Sequence, residues 1–404
     1  MKSDYEYPIQ VWNDLINHSK SHKVVVPNIK TSKIIKNLFL FYFFQRPAVK
    51  KCENLVYTQA HFNISLRDHN RLLDPYLKEQ KIFDKQCRQL TLSSDESIRE
   101  IKNFKVSVSI LHLLKFGLYF PPKFFIECFK VFRIDNLISF RQSMRVVIKV
   151  ITLDFLSQLI ARELLERGTN RVITPIHYNF YGFALLRGAK IANVESVALQ
   201  HGHNTSNHPV FSRMAGYSCE DLESWLPDLY FCWDQCNVNS LPIKFREKVD
   251  VKTFAYFDYW TQFVSLDNQV DVLITGQPSV SIGSTFIRET IIACVAARRR
   301  VAFRPHPRQI VCLKDFESCI GKVLAQSPLF SLVNNGPLIK SLWGSRLHVT
   351  GFSSSILEAS SLGIKSIAFD SRALSLREGL KKKNDLVIET ELASFKEALT
   401  NELR

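Results

Sequence analysis

The clearest pattern of apolar and polar positions lies in the last third of the chain. Val270-Asp271-Val272-Leu273-Ile274 is a short apolar run closed by Thr275-Gly276-Gln277-Pro278. Comparable runs recur at Arg300–Phe303, Phe330–Val333, Arg346–Thr350 and Lys365–Phe369, with a stretch of helical length, Ser284–Arg298, after the first. Short apolar strands alternating with helical stretches predict a parallel sheet covered by helices on both faces.

The same alternation precedes it. Arg171–Thr174 stops at Pro175, Tyr181–Ala189 reads as a helix, and Ser196–Leu199 is a strand entering Gln200-His201-Gly202. Asp228–Trp233 and Asp250–Ala255 add two more strands. Further upstream, Lys23–Val26 and Asn54–Tyr57 have strand character, while Ser97–Arg162, rich in Phe and Lys, reads as mostly helical. There is no internal repeat and no long Gly/Ser/Pro linker. The pattern predicts an α/β protein of two Rossmann-like domains. The first covers 1–267 with a helical insert at about 60–165, and the second covers 268–404. A chain of 404 residues exceeds the usual single-domain size, which agrees with two cores.

Composition changes the picture in two respects. Hydrophobic residues at 46% and charged residues at 23% exclude a disordered or fibrous chain. The net charge of +15 predicts an anionic partner, for which nucleic acid, a nucleotide or an anionic membrane all qualify. Lys381–Lys383 and Arg298–Arg300 fit solvated faces. Lys115-Phe116, Pro121–Phe125 and Phe129–Arg133 interleave aromatics with cations, which suits a lipid headgroup surface or a charged helix packed on a core. The N-terminus lacks a signal-peptide pattern, and the greasy stretches 38–44 and 110–120 fall short of the roughly 20 residues of a spanning helix. Nine scattered cysteines, with Cys232 and Cys236 a lone pair, fit a reduced cytoplasmic enzyme.

Ligands of open parallel sheets collect at the carboxyl ends of strands. Five such ends carry polar or titratable residues: 175–180, 200–203, 232–235, 304–309 and 351–358. Gly351-Phe352-Ser353-Ser354-Ser355 is a small-residue turn opening a helix, suited to a phosphate, and Glu358 follows within a turn, placed for ribose hydroxyls. An ordinary capping box explains Ser355 and Glu358 equally well. His306-Pro307, after Arg304-Pro305, is a stiffened turn whose imidazole, with Arg304 and Arg308 beside it, suits a departing phosphate. A polar loop end is the plain alternative. Gly276 and Gln277 would wall the same pocket, and together these pieces point to a nucleotide-sugar site.

In the first half, Gly202 lets Gln200 and His201 face a cleft, with His201 a candidate base, and His177 stands at another strand end. His203 and His208 raise the question of a metal. No carboxylate completes a ligand set and no Asp-x-Asp pair occurs, so no metal or other cofactor is expected. Cys232 and Asp234 alternate onto one side of a strand end, where a thiol and a carboxylate would look into one cleft; a buried cysteine and a turn aspartate are the plain alternative.

His306-Pro307 with Ser353-Ser354-Ser355 resembles the "HP" and "SS" motif pair of bacterial CMP-sugar transferases with the two-Rossmann GT-B fold. Sialyltransferases and Kdo transferases share that pair. Over its whole length the chain is similar to the retaining β-Kdo transferase module of O-antigen biosynthesis, the WbbB type. The resemblance implies a modified GT-B fold, CMP-β-Kdo as donor and a lipid-linked O-antigen saccharide as acceptor. It implies a cytoplasmic enzyme at the inner face of the plasma membrane, with no nucleic-acid partner. It also implies double displacement through a Kdo adduct on an Asp whose matching position here is Cys232; a two-residue slip would make it Asp234. Ser353, Ser354, Ser355 and His306 would hold the CMP phosphate and Glu358 the ribose. A thioglycoside leaves less readily than an acyl ester, so Cys232 is expected to load Kdo and stall, as an adduct-trapping variant would. A sialyltransferase using CMP-Neu5Ac, and a basic nucleic-acid- or membrane-binding protein, are the alternatives.

Overall fold

The computed structural model describes residues 7–8, 10–11, 51–57, 63–64, 69–70, 72–82, 87–90, 103–104, 140–202, 204, 208–262, 270–277, 280–306, 309, 311–333 and 338–404. The strand expected at 23–26, His203, Pro278, Pro307, Arg308 and the aromatic-basic stretches of 115–133 lie outside these residues.

In chain order the first half holds β1 (Asn54–Tyr57), the antiparallel pair β2 (Asn63–Ile64) and β3 (His69–Asn70), then β4 (Cys87–Leu90), β5 (Asn103–Phe104), β6 (Arg171–Thr174), β7 (Glu195–Leu199), β8 (Leu229–Cys232) and β9 (Asp250–Thr253). All but β2 and β3 form one parallel sheet in the order β5-β4-β1-β6-β7-β8-β9. The second half holds β10 (Val270–Thr275), β11 (Val301–Arg304), β12 (Phe330–Leu332), β13 (Ser345–Thr350), β14 (Lys365–Ala368) and β15 (Leu386–Ile388). These form a second parallel sheet in the order β12-β11-β10-β13-β14-β15. Each sheet starts at its middle, grows outward one way, then crosses back over its first strand and grows the other way. That is the doubly wound order. The chain has the predicted α/β architecture of two Rossmann-like domains.

Strands covered on both faces need apolar residues on both, and the central ones read that way. Val172, Ile173, Val197, Ala198, Leu199, Val272, Leu273 and Ile274 are all buried. The reading of 60–165 as a helical insert needs correction. β4 and β5 fall inside it and belong to the sheet, and Cys-Arg-Gln-Leu and Asn-Phe are too short and too mixed to show a strand pattern alone. Pairing with β1 supplies what local sequence lacks.

The helix α1 (Phe140–Arg167) also belongs to the first domain. Its residues Leu153, Leu156, Ile160 and Leu164 recur every three or four positions and are buried on one face. They pack in one apolar cluster with α2 (Phe180–Ala192) and the first sheet. The helices approach closely because a Cβ on Gly188 would lie 2.8 Å from the Ile160 side chain and 2.9 Å from the Ser157 carbonyl. Asn179 caps α2 by accepting from the Gly182 N–H at 2.7 Å, and Asn193 ends it in the left-handed region at φ 53°.

A second cluster joins the two halves. Phe231, Trp233 and Tyr256 from the first pack with Ile356, Leu357 and Leu376 from the second, and the Trp233 and Tyr256 rings stack at 5.0 Å. A third lies within the second domain around Val272, Phe303, Phe316 and Phe395. Among the described residues, no helix is long and apolar enough to cross a membrane.

Candidate nucleotide-sugar site

The strand order of the second sheet reverses between β10 and β13, so the crevice beyond their carboxyl ends is where this fold binds ligands. Register places three turns side by side there. Thr275 pairs with Arg304 on β11 and with Thr350 on β13, so the segments after 275, 304 and 350 leave the sheet at one level. The structure therefore brings together Gly276, Gln277, His306 and the 351–355 turn.

Two glutamines stitch these turns. Gln277 is buried, and its Oε1 accepts from the Phe352 N–H at 2.6 Å. The Gln309 Oε1 accepts from the His306 N–H at 2.9 Å, and its Nε2 donates to the Gln277 carbonyl at 2.6 Å. Space is short at both glycines. A Cβ on Gly276 would lie 2.4 Å from Gln309 Oε1, and one on Gly351 would lie 2.7 Å from Gln277 Oε1. Arg304 donates to Ser341 Oγ at 2.9 Å, at the same strand end. Gln309 went unnoticed in the sequence, where it is one polar residue in a loop.

The three serines differ in orientation. The short helix α3 (Gln235–Asn239) follows β8, and α4 (Ser355–Ser361) follows the serine turn. Ser355 is buried, its hydroxyl 3.1 Å from Thr275 Oγ1 and 3.3 Å from His348 Nε2. His348 is also 2.9 Å from Thr275 Oγ1 through Nε2 and 2.9 Å from Ser366 Oγ through Nδ1. Burial pushes its pKa down to about 3, so the ring is neutral. The Ser355 hydroxyl is thus engaged beneath the turn, while Ser353 and Ser354 are half-buried at its surface. The capping box is not formed: Ser354 is the N-cap and its side chain makes no cap bond. Glu358 is 1% exposed, under the turn. His348 could have been found as the lone polar residue between Leu347 and Val349.

In the first domain the expected residues separate. Gln200 is fully buried and acts as a brace. Its Nε2 donates to the Gly202 carbonyl at 2.8 Å and to Asn237 Oδ1 at 2.6 Å, and its Oε1 accepts from the Trp233 N–H at 3.0 Å. His201 is half-buried, its Nε2 2.5 Å from the Tyr178 hydroxyl. Cys232 is fully buried in the first domain's core, 3.5 Å from Asn204 Nδ2. Burial, aided by the charge of Asp234, pushes its thiol well above the ordinary range, and the Asn204 bond opposes this only in part. A thiol held protonated is a poor nucleophile.

Asp234 caps α3, its Oδ1 accepting from the Asn237 N–H and side-chain amide at 2.9 Å each. Its Oδ2 accepts from Ser361 Oγ, at the far end of α4, at 2.6 Å. Cys232 and Asp234 therefore do not look into one cleft. The strand ends at Cys232, and Asp234 already serves as the helix cap beyond it. His177 is buried and, among the described residues, neither ring nitrogen has a hydrogen-bond partner; burial alone pushes its pKa down to about 3. Among the described residues, no group of three or more His, Cys, Asp or Glu could hold a metal ion.

No protein-family model matches the chain, and no curated protein matches it. Among solved structures it is similar to the UDP-GlcNAc 2-epimerase of Methanocaldococcus jannaschii in complex with UDP-GlcNAc and UDP, with TM-score 0.48 and 12% identity over 87% of this chain and 91% of that one. It is also similar to S. aureus MnaA with UDP, at TM-score 0.49 and 13% identity over 88% and 90%. A third is Medicago truncatula UGT71G1 complexed with UDP-glucose, at TM-score 0.46 and 12% identity over 87% and 89%. Likenesses at these scores assign nothing to individual residues. The fold follows from the two strand orders described above.

Proposed function

We propose that the chain is a glycosyltransferase that takes its sugar from a nucleotide donor, CMP-β-Kdo, and passes it with retention to a saccharide acceptor. The observation that carries the nucleotide is the convergence of three turns at the reversal point of the second sheet, braced by Gln277 and Gln309. Ser353, Ser354, His306 and Arg304 supply donors and positive charge for the departing phosphate. Glu358 is buried there and meets a ribose only if the turn opens. CMP and Kdo, rather than another nucleotide and sugar, rest on the motif resemblance alone.

Retention by double displacement has a nucleophile attack the anomeric carbon as CMP leaves, after which the acceptor hydroxyl displaces the nucleophile. Cys232, protonated and in the core, is poorly suited to the first step. The reading makes this chain slow at that position and capable of gaining activity with a carboxylate there.

Calorimetry with CMP and UDP tests the nucleotide site: CMP should bind, and His306→Ala should weaken it at least tenfold, about 1.4 kcal/mol. Unchanged CMP affinity in that variant would remove the site from the second sheet. For the chemistry, intact mass after incubation with CMP-β-Kdo, with CMP-Neu5Ac as control, should show little adduct on the parent chain. Cys232→Asp should raise Kdo transfer. A rise with CMP-Neu5Ac instead would make the chain a sialyltransferase, and no rise with either would end the reading of position 232.

A further inference from the structure

Polar side chains are costly to bury on a sheet face unless each finds a partner, and a network in which all do is rigid and geometrically specific. Such a network lies under the serine turn. His348 and Thr350 share one face of β13, while Leu347 and Val349 on the other face join the apolar core of the second domain. His348 stands in register with Ser366 on β14, and Thr350 with Thr275 on β10. These four and Ser355, the first residue of α4, are all buried.

The imidazole of His348 joins them. Its Nδ1 lies 2.9 Å from Ser366 Oγ, and its Nε2 lies 2.9 Å from Thr275 Oγ1 and 3.3 Å from Ser355 Oγ. The Thr275 and Ser355 hydroxyls are 3.1 Å apart. A neutral imidazole has one donor and one acceptor, and a hydroxyl complements either, so both ring nitrogens are satisfied whichever carries the proton. The turn above hangs on the same serine. The Ser355 N–H donates to Ser353 Oγ at 3.2 Å, and the Ile356 N–H donates to the Ser353 carbonyl at 3.1 Å. At the other end the Phe352 N–H donates to Gln277. Gln277 therefore fixes the entry of the turn and Ser355 its exit, with Ser353 and Ser354 between them.

We propose that His348 is a positioning residue: through Nε2 it fixes the Ser355 hydroxyl, and with it the placement of Ser353 and Ser354 toward the donor's phosphate. The proposal rests on the nucleotide reading and adds to it a residue that never touches the nucleotide. The two ring nitrogens have separate tasks. Nδ1 links β13 to β14, which backbone pairing already joins, so its loss costs stability alone. Nε2 reaches the start of α4, so its loss costs affinity as well.

The test separates the two nitrogens in the whole chain. An asparagine amide stands roughly where Nδ1 does and a glutamine amide roughly where Nε2 does, each offering a donor and an acceptor. CMP affinity is read by calorimetry and stability by urea unfolding. Both variants should be less stable than the parent, but His348→Gln should bind CMP within about threefold of it and His348→Asn at least tenfold more weakly. Equal CMP affinity in the two variants, whether kept or lost together, is what a merely structural ring gives, and it overturns the proposal. Should either variant fail to fold, Ser355→Ala and Ser366→Ala carry the same contrast. The first should bind CMP at least tenfold more weakly and the second as the parent does, and equal affinities again overturn the proposal. A parent that binds neither CMP nor UDP removes the nucleotide reading and the proposal with it, so the parent alone tells the two failures apart.

Discussion

Two imidazoles, His177 and His348, have pKa values pushed to about 3 by burial, against an ordinary value of 6.5. Below pH 6.5 the unfolded chain takes up protons at these rings that the folded chain refuses, so folding stability falls as pH falls. The effect fades above 6.5, grows by about 1.4 kcal/mol per pH unit for each ring well below it, and levels off only below about 3. Urea unfolding at about pH 7.5 and about pH 5.5 should show the loss, and His177→Phe or His348→Gln should each flatten the slope. Equal slopes in parent and variants would mean that neither ring is held neutral. Residues of this kind mark the limit of what the sequence disclosed. His306, Gly276, Gln277 and the serine turn were legible because chemistry-bearing residues followed apolar runs. Gln309, His348 and the inward turn of Ser355 were not, because each role includes a partner 32 to 80 residues away. Cys232 looked like a cleft residue because strand alternation gives a side but not the depth of what covers it.

At the scale of elements, the helix pair α1 and α2 makes a close contact in the first domain. Gly188 sits where any Cβ would press on Ile160 and the Ser157 carbonyl. Gly188→Ala should therefore destabilise the chain by about 1–3 kcal/mol despite alanine's better helix propensity, read by chemical denaturation. A stabilised variant would show that the helices can part without cost. Strands with a continuous apolar run, such as β7, β10 and β13, could be placed from sequence within a residue or two. β4 and β5 could not, since a strand of two to four mixed residues has no period to read and exists only through the neighbour it pairs with.

For the whole molecule, the two-domain plan was legible from the alternation of strands and helices, whereas the junction was not. The two sheets share an apolar cluster, and Asp234 ties the β8–α3 turn to Ser361 across it. Ser361→Ala should cost about 1 kcal/mol in urea unfolding, with Ser361→Thr restoring most of it, because a half-buried carboxylate loses one of its donors. No difference between the two variants would show that the tie contributes nothing to the junction. The same bond gives α4 a second character. The helix starts at the serine turn and ends seven residues later on the Asp234 carboxylate, a stiff span of about 10 Å. One end of this rod lies at the serine turn of the proposed nucleotide site and the other is tied to the opposite domain. The serine turn and the end of β8 are thus joined by one short helix, so the two domains are coupled through it at the edge of the proposed site.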